Sequence, residues 1–481
     1  MRPGRRLAFA PFAALTIALL LAGMTACTAS PPAPSLSLTL ASPDLSTDPN
    51  APLVKHFSDE VARLSQNAIQ IEPRWDVTPP GTHHWDQQTA ALVADGNYDL
   101  ALVPSRAFDE LGVDSLKALT APFLIQSQDL LRAVLESPRR QQLMAGLPAA
   151  GVVGIDLFPS QFTHPFGFDT PLLDIADYKD QVIQAPFSTV TASLLQALGA
   201  TVTDDEVGTA EMRGQASGFA WVVAGVATGN VTFFPKVETL IMDADVGERL
   251  RPDQWELLEQ AAANTRTWAF ENLPSEIESA AAYCEAGGRI VAATAAQLNA
   301  LEEAASPVMT RLRTYDAATA AMIDAILDVK ATHPAPDDVN SCPTLGELPG
   351  AAQASALNGT YHFVASADTL RAAGVGKRLV DENAGDYTIT LKDGRWSAAQ
   401  VYETGPNRGT TWHGSGTYMV DNGVLTFAWP VGLENDRTTA TVAIEADGSL
   451  RFTDVIEARE GEWSLMGQVI FARWERIGIA P

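Results

Sequence analysis

Residues 96–125 read GNYDLALVPSRAFDELGVDSLKALTAPFLI. Within them Tyr98-Asp99-Leu100-Ala101-Leu102-Val103 is a short apolar run bounded by Gly96 and by Pro104-Ser105. That pattern predicts a buried parallel strand ending in a polar turn. Ligands of open α/β sheets collect beyond the carboxyl ends of the strands, so a pocket is expected at Ser105 and Arg106. Ala121-Pro122-Phe123-Leu124-Ile125 adds a second apolar edge near the same place.

Upstream, Leu36-Ser37-Leu38-Thr39-Leu40 alternates with period two and predicts a first strand. Val54, Phe57, Val61 and Leu64 recur at helical spacing, Ile69-Gln70-Ile71 gives a second strand, and Gln88 to Ala94 a short helix. This β-α-β-α-β order calls for a mostly parallel sheet covered by helices. Downstream, Leu130, Leu131, Val134 and Leu135 mark an amphipathic helix, and Gly151 to Phe158 (GVVGIDLF) a strand ending at Pro159-Ser160-Gln161. That strand is read as the crossover to a second lobe. There Gln181 to Ala185 forms a strand, Ser188 caps a helix to Leu198 and Gly199 closes it, and Glu206 to Arg213 with Gly214 repeats that logic. Two lobes joined by crossing strands describe a hinged cleft that closes on its ligand.

The stretch around residues 96–125 resembles the solute-binding proteins of TRAP-type (tripartite ATP-independent) transporters, in which a "yDlalvps" strand is followed by "PFLi". DYKDQVIQAPFSTVTASLLQALGATV (177–202) and NVTFFPKVETLIMDADVGERLRPDQWELLEQAA (230–262) are similar to two further patterns of that family. The resemblance covers about Leu36 to Asp328. It implies a two-lobed, periplasmic-binding-protein-like α/β fold, a small-molecule ligand, a TRAP-type membrane permease as partner, no cofactor and no catalysis. In the dicarboxylate and sugar-acid binders of the family, an Arg pairs bidentately with the ligand carboxylate where this chain has Gln184. An amide can bond a hydroxyl or carbonyl but brings no charge to offset carboxylate desolvation. The next family landmark falls on Glu206, Ala210, Gly214 and Gly218, with Ser217 replacing the usual Asp, and Phe219 and Trp221 follow. The ligand-contact set expected from this reading is Ser105, Arg106, Ser160, Gln161, Gln184, Phe219 and Trp221. A small polar or organic-acid ligand is expected, and a simple dicarboxylate is disfavoured.

A chain of 481 residues predicts two or three domains, and 46% hydrophobic with 19% charged residues describes a folded protein. A net charge of -26 without a basic stripe argues against nucleic-acid binding. At the start, Arg2, Arg5 and Arg6 precede an apolar stretch from Phe12 to Leu21, the flanks of a secretory signal. Met24-Thr25-Ala26-Cys27 resembles a bacterial lipobox, with Met24 in place of the usual Leu. It implies a signal peptide over 1–26, lipid on Cys27 and an extracytoplasmic protein anchored at the outer face of the cytoplasmic membrane. Ordinary signal cleavage or an uncleaved anchor is the alternative. With Cys27 so committed, Cys284 and Cys342 are an even pair in an exported protein and are expected to form a disulfide.

Residues 27–35, with Pro31, Pro32 and Pro34, read as a stiff tether, 36–343 as the solute-binding domain and 344–357 as a small-residue linker. From 358 the pattern changes. Asp386 to Leu391, Asp393-Gly394 and Arg395-Trp396 read as a hairpin with a primed turn, and short strands follow at Val424–Trp429, Ala440–Glu445, Leu450–Val455 and Val469–Trp474. An antiparallel barrel or sandwich over 358–481 is expected, faintly lipocalin-like at its ends. A membrane-tethered sensor or surface-interaction protein using that β domain is the alternative function. His83-His84 with Asp86 suggests a metal only weakly, because adjacent residues rarely point the same way and the set is incomplete, so no metal is expected. His164 is read equally as cleft lining or as a structural histidine. Ser105 lacks a G-x-S-x-G setting and is given no nucleophilic role.

Overall fold

The strand predicted at Tyr98–Val103 is β3 of the computed structural model. The structure describes residues 35–478, apart from 79–82, 169, 205–211, 223–224, 286–287, 335–341, 343–353, 393, 429–436 and 458–460. Cys27, the signal segment, Glu206, Ala210 and most of the expected linker lie outside the described residues. No described helix is long and apolar enough to cross a membrane.

The strands of the first 300 residues are β1 (Leu36–Ala41), β2 (Ile69–Arg74), β3 (Leu100–Pro104), β4 (Val152–Gly167), β5 (Val182–Gln184), β6 (Thr201–Thr203), β7 (Met212–Ser217), β8 (Val226–Thr228), β9 (Phe234–Asp243) and β10 (Arg289–Val291). Their order is β2-β1-β3-β9-β4-β7-β5-β6, with β8 joining β4 to β10. β2, β1 and β3 are parallel, as expected, but β9 runs antiparallel between β3 and β4, which itself points the same way as β3, so the first sheet is mixed. β5, β6 and β7 are parallel and make the second lobe.

One expectation is corrected at the crossover. The strand beginning at Val152 does not end at Phe158 but continues to Gly167, pairing first with β9 in one lobe and then with β7 and β8 in the other. Pro159 has no N–H to donate, and the ladder breaks between Pro159 and Phe162, yet it resumes beyond the break. A second correction concerns Arg213 and Gly214, which lie in β7 instead of a helix end. A Cβ on Gly214 would stand 2.3 Å from the Phe166 carbonyl oxygen, so glycine permits the close approach of β7 to β4. Helix Thr189–Ala197 is as expected: Ser188 accepts from the Thr191 N–H, and Gly199 turns the chain at φ +100.

Helices Pro252–Asn272, Glu276–Glu285, Ala295–Tyr315 and Ala317–Lys330 pack over the lobes, burying Leu258, Leu301, Val308, Leu312, Ile323 and Ile326. Cys284 and Cys342 are joined by a disulfide.

Beyond it lies a closed, antiparallel eight-stranded barrel: β11 (Gly359–Ala365), β12 (Gly385–Lys392), β13 (Arg395–Tyr402), β14 (Thr411–Asp421), β15 (Val424–Ala428), β16 (Arg437–Ile444), β17 (Leu450–Glu457) and β18 (Arg473–Gly478). Pairing of β11 with β18 closes it, which decides between barrel and sandwich. Eight strands leave an interior that side chains can fill. Here Phe363 stacks on Tyr387 and Trp474 at 4.6 and 5.3 Å, and Trp396 on Phe427 at 4.6 Å. Val469 belongs to a helix, Glu462–Ile470, whose last carbonyl accepts from Trp474 Nε1 at 2.8 Å, so the expected Val469–Trp474 strand is corrected to Arg473–Gly478.

Candidate ligand-binding site

The carboxyl end of β3, the break in β4, the end of β5, and the facing ends of β7 and β9 converge on a cavity of about 220 Å³. It lies between the two sheets, where an open α/β fold places a ligand. Ser105, Arg106, Gln161, Gln184 and Trp221 line it. The break in β4 separates the fates of two neighbours. Gln161 reaches the cavity as well as an outer groove beside it, and its Oε1 accepts from the Ala220 N–H at 2.9 Å. Ser160 points away and donates to Asn50 Oδ1 at 2.9 Å, on the wall of that outer groove.

Phe219 does not line the cavity either. It is fully buried against Phe166, Tyr283 and the ring of His164. His164 is structural: Nδ1 lies 2.8 Å from the Val231 carbonyl and Nε2 2.9 Å from Glu276, which pins helix Glu276–Glu285 to β4. His83 and His84 turn to Asp204 instead of joining Asp86, and among the described residues no group of side chains is arranged to hold a metal.

Two ion pairs dominate the electrostatics. Arg106 Nη2 donates to Asp86 Oδ2 at 2.6 Å, with both side chains nearly enclosed. Burial pushes the Asp86 carboxyl above its ordinary range, with Arg106 and Lys236 opposing the shift and Asp44 adding to it. Lys236 lines the cavity, 3.1 Å from Glu238 and 4.1 Å from the centre of the Trp221 ring. Burial also raises Glu238, against the pull of Lys236; its Oε1 accepts from Asn50 Nδ2 at 2.8 Å as well. Four buried polar atoms on lining residues have no partner among the described residues: Arg106 Nε, Thr191 Oγ1, Gln215 Nε2 and Trp221 Nε1. All four can donate, so the residues around the cavity hold donor capacity that the described residues leave unused.

The sequence reading did not assign Lys236, Glu238 or Gln215 to the site. The signal was present for the first two. Residues two apart in a strand share a face, and Phe-Pro-Lys-Val-Glu places both charges on one face of β9.

Residues 44–208 match the family described as "Bacterial extracellular solute-binding protein, family 7". No curated protein sequence matches the chain. Solved structures share the fold over about three fifths of the chain. A TRAP periplasmic solute-binding protein from Xanthobacter autotrophicus Py2, with bound β-D-galacturonate, aligns at 19% identity and TM-score 0.53 over 60% of this chain and 98% of its own. One from Sulfurospirillum deleyianum DSM 6946, with bound succinate, aligns at 18% and 0.52 over 62% and 100%. The sugar acid binding protein DctPAm from Advenella mimigardefordensis strain DPN7T, in complex with galactonate, aligns at 15% and 0.53 over 62% and 99%. The resemblance read from the sequence is therefore carried by a family match and by the fold. The neighbours are aligned almost end to end while about two fifths of this chain is left over.

Proposed function

We propose, from that family match and the interlobe cavity, that this chain is an extracytoplasmic solute-binding lipoprotein that delivers a small polar solute to a TRAP-type permease. The observation that carries this reading is the cavity itself. Ser105 and Arg106 from one lobe and Gln184 and Gln215 from the other face one shared space, and several of the residues around it carry buried polar atoms with no partner among the described residues. Lipid on Cys27 would hold the protein at the outer face of the cytoplasmic membrane, and residues 27–35 would lift its body clear. Residues 36–343 act as the binding domain, 344–357 as the linker and 358–481 as a separate barrel. The site needs no cofactor and performs no turnover: it binds, closes and releases.

A thermal-shift screen of the mature full-length chain against sugars, polyols, sugar acids and organic acids tests this reading. A ligand that binds only the folded state raises the melting temperature by linkage, so micromolar ligands at millimolar concentration register. A well-folded sample silent to the whole panel would defeat it. Membrane fractionation of Cys27→Ala tests the anchor, with release from the membrane expected.

The barrel favours a second reading, that of a tethered sensor or surface-interaction protein. Its interior is filled, and Arg395 Nη1 reaches the Gly288 carbonyl of the second lobe at 2.8 Å. A solute bound without uptake, in cells that respond to it, would favour the sensor.

A further inference from the structure

We propose that the interlobe cavity selects an uncharged, hydroxyl-rich solute, a monosaccharide or polyol, over the acid of the same skeleton. The inference rests on the solute-binding reading and names the ligand class.

The fixed charges come first. Arg106 and Lys236 are the cations on the cavity wall, and each already sits against a buried carboxylate, Asp86 and Glu238. Asp44 lines the same space, its Oδ2 accepting from neutral Asn50 Nδ2 at 3.1 Å. Among the described residues, the wall and its immediate backing therefore carry two cations against three carboxylates. A ligand carboxylate would be desolvated without a free counter-charge and would face Asp44 as a like charge. Gln184, at the end of β5, supplies an amide and no positive charge.

The remaining polar groups suit a neutral partner. Gln161, Gln184 and Gln215 can each donate and accept, and the buried atoms Gln215 Nε2, Thr191 Oγ1, Trp221 Nε1 and Arg106 Nε, which small side-chain movements would bring to a ligand, have no partner among the described residues. A hydroxyl-bearing solute offers acceptors to the donors and donors to the amide oxygens, so it can satisfy both halves of this inventory. A hydrocarbon-like ligand would leave the same groups buried and unpaired. Trp85 and Trp221 add aromatic surface against which the C–H faces of a sugar ring can pack. A cavity of about 220 Å³ is small beside the ~300–1,000 Å³ typical of drug-sized ligands, which fits a single ring or a short chain.

The test is calorimetric titration of the mature full-length chain, near neutral pH, with matched pairs. These are galactose against galacturonate, galactitol against galactonate and 1,4-butanediol against succinate, extended to other hexoses, pentoses and alditols with their aldonates and uronates. The expected result is that, in each pair that binds, the neutral member binds about tenfold or more tightly than the acid. A tighter acid in those pairs overturns the inference but leaves the solute-binding reading standing. Silence across every pair, with a folded sample, overturns both. Gln184→Arg adds one cation to the wall and is expected to move the acid-to-neutral affinity ratio at least about tenfold towards the acid. An unmoved ratio overturns the inference, and if that variant does not fold the wild-type pairs decide alone.

Discussion

Asp109 Oδ2 receives a hydrogen bond from Ser188 Oγ at 2.7 Å and another from the Val190 N–H at 3.1 Å, and it does so across the two lobes. Asp109 ends the short turn after β3, while Ser188 and Val190 begin the helix after β5. Both side chains are buried, and Gln87 Nε2 supports the bridge by donating to the Phe187 carbonyl at 2.9 Å. In the proposed opening and closing of the cleft, this is a bond across the lobes that opening would have to break. Hydrogen bonds to a charged group contribute about 1.5–3 kcal/mol, so Asp109→Ala is expected to speed ligand release roughly 10- to 100-fold. Stopped-flow dissociation reads this directly. An unchanged release rate would show that the bridge does not hold the closed form.

The Arg106–Asp86 pair makes a different demand, because both partners are enclosed. Removing one partner of a buried pair leaves an uncompensated charge, at a cost of about 3–5 kcal/mol, whereas replacing both by apolar side chains of similar volume is often neutral. Asp86→Ala is expected to lower the unfolding free energy by that amount in urea denaturation. The double variant Asp86→Leu with Arg106→Met is expected to recover most of it. Equal losses in the single and double variants would assign the effect to packing.

These contacts also show which parts of the molecule the sequence made legible. Ser188 and Gly199 punctuate a helix through local chemistry, a side-chain cap and a positive φ, so their neighbours in sequence suffice to read them. The turn after β3 was legible for the same reason, and it carried Ser105 and Arg106 to the cavity. The continuation of β4 past Pro159 was not, because the partners that restore its ladder lie some 50–80 residues away in β7 and β9. At that break Gln161 reaches the cavity and Ser160 does not, although both border the outer groove, and this depends on the partners the assembled sheet supplies. Phe219 was read as cavity wall from its place beside Trp221, but three aromatic neighbours from other segments enclose it. Lys236 and Glu238 share a strand face in the sequence, yet their importance depends on the burial of Glu238, which is a property of the assembled sheet.

Cavity charge should respond to pH in a direction fixed by burial. Asp86 and Glu238 both have raised pKa values, from ordinary ones of 3.8 and 4.5. As pH falls they take up protons earlier than an exposed carboxylate would, leaving Arg106 and Lys236 less compensated, with Asp44 the remaining carboxylate on the wall. Affinity for a sugar acid such as galacturonate is therefore expected to rise as pH falls, already above the range where the ligand itself titrates, while affinity for galactose stays level. Titration calorimetry at falling pH above that range checks it, and an acid affinity that is flat or falls contradicts the assignment. Stability follows the same sign. A carboxyl whose folded pKa is raised contributes most below its unfolded value, and that contribution disappears as pH rises through the folded value.

The Cys284–Cys342 bridge closes the chain between the helix beside β4 and the segment leading to the barrel. Cys342 Sγ and Arg395 Nη1 both approach the Gly288 carbonyl, at 3.4 and 2.8 Å, so the bridge and the barrel hairpin meet at one backbone group. A Cβ at position 288 would stand 2.2 Å from the Tyr283 ring, which fixes this turn tightly against the second lobe. The two cysteines are 58 residues apart, and in the loop-entropy description a cross-link of that span restrains the unfolded chain by about 4 kcal/mol. Reduction, or the paired change Cys284→Ser with Cys342→Ser, is expected to lower the unfolding free energy by about that amount without changing the barrel's own aromatic packing. Denaturant titration of the full chain with and without reductant, followed by near-ultraviolet circular dichroism of the barrel tryptophans, separates the two effects. Identical midpoints in both conditions would count against the staple. A loss of the tryptophan signal on reduction alone would show that the barrel depends on its attachment to the lobe.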